Sequence, residues 1–226
     1  MRTVMVPALR PGELTLSPAE AHHLARVLRA GVGDVVRLVD GGGNEAEAVV
    51  LTTHPDAVTV RVAAVRAFAP PPGRRVLLGQ PRPALIEEAL TLGTELGMTE
   101  LWVCRAAWSH PGEVRTDRLE RVLDSALKQC GRTDRPALRA FGGLASALDA
   151  LPGGVRFLAA PGAPRARSYP PVTEATLAVG PEGGWSPQEQ AELVGAGFAP
   201  LGLAAAILRA PTAVAAGLAA LAISDS

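Results

Sequence analysis

Val58, Val60 and Val62 are separated by Thr59 and Arg61, a two-residue period that places the valines on one face of a β-strand over Ala57–Val65. The same reading predicts strands over Val35–Val39 and Glu45–Thr52, with Gly41-Gly42-Gly43 as the turn between them. Ahead of these, Ser17-Pro18-Ala19-Glu20 has the sequence of a capping box and opens a helix that ends near Gly31. Residues 1–68 therefore read as a small barrel decorated by one helix. Ala69-Pro70-Pro71-Pro72-Gly73 (69–73) is a stiff, extended linker. From residue 74 to 226 the pattern becomes strand-helix alternation. Strands are predicted at Arg75–Gly79, Leu101–Cys104, Val155–Ala160, Ala175–Gly180 and Pro200–Leu203. Helices are predicted at Ala84–Leu96, Arg118–Cys130, Leu144–Ala150, Pro187–Ala196 and Thr212–Ile223. Such alternation argues an α/β fold with a mostly parallel sheet covered on both faces.

The junction after Val179 stands out within this alternation. Apolar Leu177 and Val179 lead into Gly180-Pro181-Glu182-Gly183-Gly184, and Ser186-Pro187-Gln188-Glu189 then caps a helix. A strand, a glycine-rich turn and a capped helix suit the approach of a ligand to the backbone, because no Cβ stands in the way. The spacing is neither G-x-G-x-x-G nor a G-x-x-x-x-G-K-[ST] phosphate loop. On spacing alone, Gly183-Gly184 is equally a plain tight turn. The last helix is small and apolar on every side, so it must be buried in a core or against another subunit.

Composition narrows the function less than the pattern does. With 48% hydrophobic residues the chain can build a sizeable core, and 22 basic against 22 acidic residues leave no global field toward nucleic acid. Any RNA site must be a local patch. The helix over Arg118–Cys130 offers one: Leu119, Val122, Leu123, Ala126, Leu127 and Cys130 form its buried stripe, with Arg118, Arg121, Lys128 and Arg132 opposite. A solvated helix face produces the same stripe. In the N-terminal helix His22, Arg26 and Arg29 share a polar face that could also clamp RNA. Cys104 and Cys130 read as buried free thiols of a reducing cytoplasm. No cluster of metal ligands, secretory leader or membrane span is expected, so the protein is placed in the cytoplasm without a metal. A hydrolase is disfavoured, because there is no G-x-S-x-G and neither His54 nor His110 has a paired nucleophile.

Five segments in order carry a resemblance. They are His22-His23-Leu24-Ala25-Arg26-Val27-Leu28-Arg29, Thr94-Glu95-Leu96-Gly97, Gln129-Cys130-Gly131-Arg132, Gly180-Pro181-Glu182-Gly183-Gly184, and Ile207-Leu208-Arg209 followed by Thr212-Ala213. Together they resemble the ribosomal small-subunit methyltransferase E family. The resemblance implies a C-terminal trefoil-knotted SPOUT methyltransferase domain behind an N-terminal PUA-like β-barrel RNA-binding domain. It also implies a homodimer formed through the knotted domain, with S-adenosylmethionine as cofactor. The implied partner is 16S rRNA or the small ribosomal subunit, and the implied reaction is methylation of N3 of a uridine.

Moving a methyl group from a sulfonium to a ring nitrogen requires a flat hold on adenosine, an in-line methyl and removal of the imide proton. By this resemblance Gly180, Glu182, Gly183 and Gly184 supply one wall of the cofactor site. Leu203, Ala205, Ile207 and Leu208 supply another, and Ala159 and Ala160 a third. Glu182 is either a cap on backbone N–H groups or a functional group at the site mouth. Arg209 is the candidate for holding phosphate or positioning uracil. Arg26, Arg29, Arg118, Arg121, Lys128 and Arg132 are the remaining RNA candidates, and no residue stands out as general base. Ala216, Gly217 and Ala220 are expected near a two-fold contact. The chain departs from the family pattern at Leu92, at Trp108-Ser109 where an Arg-Ser pair is usual, at Ala206 and at Pro211. These departures leave open a changed RNA substrate, or an RNA-binding protein that no longer transfers methyl.

Overall fold

In a computed structural model the described residues are 2–54, 57–164 and 173–223. The chain divides into two compact units, Met1–Pro70 with Asp124–Arg135, and Pro71–Leu123 with Pro136–Ser226.

The first unit contains β1 (Thr3–Met5), β2 (Gly12–Thr15), α1 (Pro18–His22), β3 (Val35–Val39), β4 (Asn44–His54), β5 (Ala57–Val62) and β6 (Arg66–Ala67). Its sheet runs β1-β3-β4-β5-β2, with β6 pairing β4. Val58, Val60 and Val62 point into a core with Val4, Leu24, Val36 and Leu38, as their alternation requires. β1, β2 and β6 have only two to four residues, too short to establish a period.

The N-terminal helix ends earlier than its capping box and glycine suggest. After α1 the chain makes a one-turn π-helix at His23–Val27, and Arg29 then takes a left-handed φ of 51°. The Ala30 N–H reaches back to the Leu24 carbonyl at 3.0 Å, so Arg29 fills the cap position usually given to glycine. His22, Arg26 and Arg29 therefore do not share one regular helical face.

Asp124–Arg135 belongs to this unit through specific bonds, although it lies between residues of the second unit in sequence. Arg37 donates to the Gly131 carbonyl (2.6 Å), Gly43 N–H to Thr133 O (3.0 Å) and Arg135 N–H to Gly41 O (2.8 Å). Lys128 pairs with Glu20.

The second unit contains β7 (Gly73–Gly79), α2 (Pro83–Glu95), β8 (Glu100–Cys104), the start of α3 (Thr116–Cys130), β9 (Ala137–Phe141), α4 (Leu144–Asp149), β10 (Val155–Ala159), β11 (Glu174–Val179), α5 (Pro187–Gly195), β12 (Ala199–Leu201) and α6 (Ala210–Ile223). Six parallel strands run in the order β12-β10-β11-β7-β8-β9. Val76, Leu77 and Leu78 are all fully buried, which marks β7 as a central strand covered on both faces. β9 escapes the sequence pattern because it is an edge strand with three of its five residues exposed.

α6 packs on α2 and β11 within the same chain. A Cβ built on Gly217 would lie 2.4 Å from Leu177 Cδ2, so glycine is what lets this helix sit against the sheet. Gly217 thus faces the chain's own core rather than a partner copy. Ala215, Ala216, Ala219 and Ala220 are half-buried on the flanks. Cys104 is buried, and burial followed by the Glu189 charge pushes its thiol up to about 12, which leaves it protonated and unreactive at neutral pH.

Candidate functional site

β10, β11 and β12 lie side by side, and the segments after their carboxyl ends converge on a cavity of about 600 Å³. After β11 the chain turns sharply. Gly184 N–H closes the turn on Pro181 O at 2.8 Å, and Gly184 has φ 76°, a conformation that favours glycine. A Cβ on Gly180 would lie 2.9 Å from the backbone of Gly184 and Trp185, and one on Gly79 would lie 2.6 Å from Pro181 Cδ. The turn is held from below by the capping box: Glu189 N–H donates to Ser186 Oγ (3.3 Å) and Ser186 N–H to Glu189 Oε2 (2.8 Å).

Ala159, Ala160, Gly180, Glu182, Gly183, Gly184, Leu203, Ile207 and Leu208 all line this cavity. Ala205 does not line it, and its short side chain is exposed. Ile207 is 84% exposed at the rim, an open position for so apolar a side chain. Sequence reasoning missed Arg82, Leu85, Trp185 and Gln190, which also line it. The Pro81-Arg82-Pro83 junction after β7 was the available signal, because it too lies at a strand's carboxyl end.

Arg82 Nε donates to Glu182 Oε1 at 2.8 Å. Partial burial opposes ionisation of Glu182. Hydrogen bonds from the Arg82 side chain, the Glu182 backbone and the Arg82 backbone outweigh it and hold the carboxyl below its ordinary value. The pair is therefore present above the usual carboxylate range and is lost as the pH falls through that lowered value. Arg209, also on the lining, donates to Glu88 Oε1 at 2.7 Å, with both side chains well exposed.

The other cations separate into free and engaged groups. Arg26 and Arg29 are exposed and have no ion pair among the described residues. Arg118 pairs with Glu87 at 2.5 Å and Arg121 with Asp117 at 3.5 Å, both with exposed guanidinium groups. Lys128 and Arg132 are only 24% and 14% exposed and pair with Glu20 and Asp134. Both are held by carboxylates in partly desolvated pairs, so contact with RNA through them requires those pairs to be exchanged.

Gly180→Ala is expected to disturb the turn at its tightest point. The added methyl meets backbone atoms that cannot rotate away, at a cost of about 1–3 kcal/mol, and binding of a ligand in the cavity weakens by about tenfold or more. Gly195→Ala, which has open space around it, serves as the control and keeps both stability and affinity. Calorimetric titration and thermal melts check both. Gly184→Val is a poorer probe, since a branched residue at φ 76° is strained whatever fills the cavity.

Residues 72–222 match the RNA methyltransferase domain family, and residues 16–63 match the RNA methyltransferase PUA domain. With the sheet and its glycine-walled cavity, this defines the chain as an RNA methyltransferase. It is 30% identical over 212 residues to the ribosomal RNA small subunit methyltransferase E of Synechocystis sp., covering 88% of this chain and 69% of that one. The chain belongs to the ribosomal RNA small subunit methyltransferase E family. Its fold is similar to that of the Neisseria gonorrhoeae member bound to S-adenosyl methionine (TM-score 0.90, 24% identity, 97% and 96% of the two chains covered). It is also similar to a Legionella pneumophila protein solved in complex with the bound cofactor SAM (TM-score 0.85, 25% identity, 97% and 96% covered). Among the described residues no helix is long and apolar enough to cross a membrane.

Proposed function

We propose that this protein transfers the methyl group of S-adenosylmethionine to N3 of a uridine in 16S rRNA, acting in the cytoplasm as a homodimer. The observation that carries the reading is the convergence of three strand-end segments on one glycine-walled cavity. The residues fit the cofactor: Gly180, Gly183 and Gly184 present bare backbone, while Leu158, Leu203 and Leu208 offer apolar cover for a purine. When bound, the cofactor supplies an electrophilic methyl on a sulfonium. The remaining task is to prepare N3 of the base. Glu182 is a weak proton acceptor, being ionised and held by Arg82, so its part is to fix Arg82 at the cavity mouth. Arg209 is held only by an exposed pair and can exchange Glu88 for a uracil carbonyl, where its N–H groups stabilise charge left on the ring as the imide proton passes to solvent water.

The family's trefoil knot and PUA-like barrel complete the reading of the fold. Tight passage of the chain supports the knot, since a Cβ on Gly202 would lie 2.0 Å from Ala163 O and Gly202 N–H bonds Pro164 O at 3.1 Å. The half-buried alanine flank of α6 supports the dimer. RNA contact is assigned to the exposed Arg26, Arg29, Arg118 and Arg121. Replacing Arg26 and Arg29 together with Gln lowers the slope of log affinity against log salt by roughly 0.7–0.9 per lost phosphate contact. An unchanged slope in a filter-binding series removes those two from the interface.

The deciding experiment is mass analysis of small-subunit rRNA nucleosides from a strain lacking the gene. Loss of one 3-methyluridine, restored by the purified protein with S-adenosylmethionine, is expected. A normal nucleoside profile, or a different missing nucleoside, overturns the substrate.

A further inference from the structure

Trp108 is 51% exposed in the loop after β8, whereas the chain's other two tryptophans, Trp102 and Trp185, are buried. The loop that carries this indole is held on both sides of it by a dense set of bonds. Ala107 N–H donates to Glu189 Oε1 at 2.7 Å, so the carboxylate that caps α5 also anchors the residue before the tryptophan. Ala106 N–H donates to Ser109 Oγ (2.9 Å) and Ser109 N–H returns to Ala106 O (3.1 Å), closing a tight turn around Trp108. His110 N–H bonds Gln80 O at 3.1 Å. The Gln80 amide in turn donates to His110 O (3.2 Å) and Gly112 O (2.9 Å), and Arg105 donates to Gly112 O (2.7 Å). The ordering entropy of this aromatic group is thus met by the fold before any ligand arrives.

Its position is equally specific. A Cβ on Gly183 would lie 3.0 Å from Trp108 Cβ and 3.4 Å from Cγ and Cε3, so the side chain rests directly on the glycine turn. Gly183 lines the cavity and Trp108 does not. The indole therefore stands next to the cofactor wall but outside it, on the same carboxyl edge of the sheet.

Resting on the RNA methyltransferase reading above, we infer that Trp108 is a stacking platform for a nucleobase of the RNA substrate beside the methyl-transfer site. A base has an apolar face and polar edges, and stacking on a fixed indole pairs the faces while leaving the edges free for recognition. A residue stacked there is held next to the cavity without using any group that contacts the cofactor.

The test uses the full-length protein with small-subunit rRNA from the deletion strain, offered both naked and as assembled subunits. Trp108→Ala is expected to raise the KM for RNA roughly tenfold with little change in kcat, and to leave S-adenosylmethionine affinity as in the wild type. Trp108→Phe, which keeps a flat ring, recovers most of the loss. RNA binding quenches tryptophan fluorescence in the wild type, and Trp108→Phe removes most of that quench, leaving only what Trp185 on the cavity lining contributes. Wild-type KM in Trp108→Ala, or a quench undiminished in Trp108→Phe, overturns the stacking role while leaving the methyltransferase standing. Equal loss in the Ala and Phe variants, or a parallel loss of cofactor affinity, overturns it in favour of a packing role for Trp108. If the wild type methylates neither form of the RNA, the reading beneath the inference fails and the stacking role goes with it.

Discussion

Gly217→Glu is expected to yield insoluble or unfolded protein. The position faces Leu177, a fully buried side chain of β11, with only 2.4 Å between a new Cβ and Leu177 Cδ2. Separating α6 from the sheet to admit the side chain forfeits packing along both α2 and β11. Leaving it in place buries a carboxylate with no partner, at an effective penalty of several kcal/mol even after relaxation. That is a large share of a stability of about 5–15 kcal/mol. Ala216→Glu tests the neighbouring surface, because Ala216 lies on the half-buried flank. This variant is expected to fold with a near-normal melt and to sediment as a monomer where the wild type sediments as a dimer. A soluble, cooperative Gly217→Glu protein would contradict the packing of α6, and a wild-type monomer at micromolar concentration would remove the dimer.

Arg209→Ala is expected to reduce kcat by about 10²–10³-fold, the range found when a single donor to a developing anion is removed. Arg209 and Glu88 form an exposed pair that contributes little to stability, so the variant's melting temperature should stay within a degree or two of wild type. Cofactor affinity should hold, because the glycine turn and the leucine cover are untouched. Glu88→Gln serves as a control: it frees the guanidinium without deleting it, and so leaves kcat near wild type. Equal turnover by Arg209→Ala and wild type would strip Arg209 of any part in the reaction.

Much of the second unit was legible because buried parallel strands announce themselves as apolar runs, as in Val76-Leu77-Leu78. The walls of the cavity were legible for a related reason. Glycine at Gly180 and Gly184 is demanded by backbone approach and by φ, and such demands are visible in one sequence. Long-range pairing is not visible in the same way. The helical repeat put Lys128 and Arg132 on a charged face, but their carboxylates come from Glu20 and Asp134, and Glu20 is far away in the sequence. Gly217 misled for the opposite reason: a helix apolar all round does not reveal which flank its own sheet will take. The early end of the first helix depends on a left-handed Arg29, a position that glycine would have announced.

The segment Asp124–Arg135 bears on how the protein is made. It follows residues of the second unit in the chain, yet its carbonyls and N–H groups complete the first. On the ribosome the N-terminal sheet is therefore synthesised long before the piece that satisfies Arg37, Gly43 and Gly41. Until residue 135 has left the exit tunnel, the Gly43 N–H, the Gly41 carbonyl and the Glu20 carboxylate must wait in solvent. The two units are thus interleaved in time as well as in sequence, and the second begins to emerge before the first can finish closing.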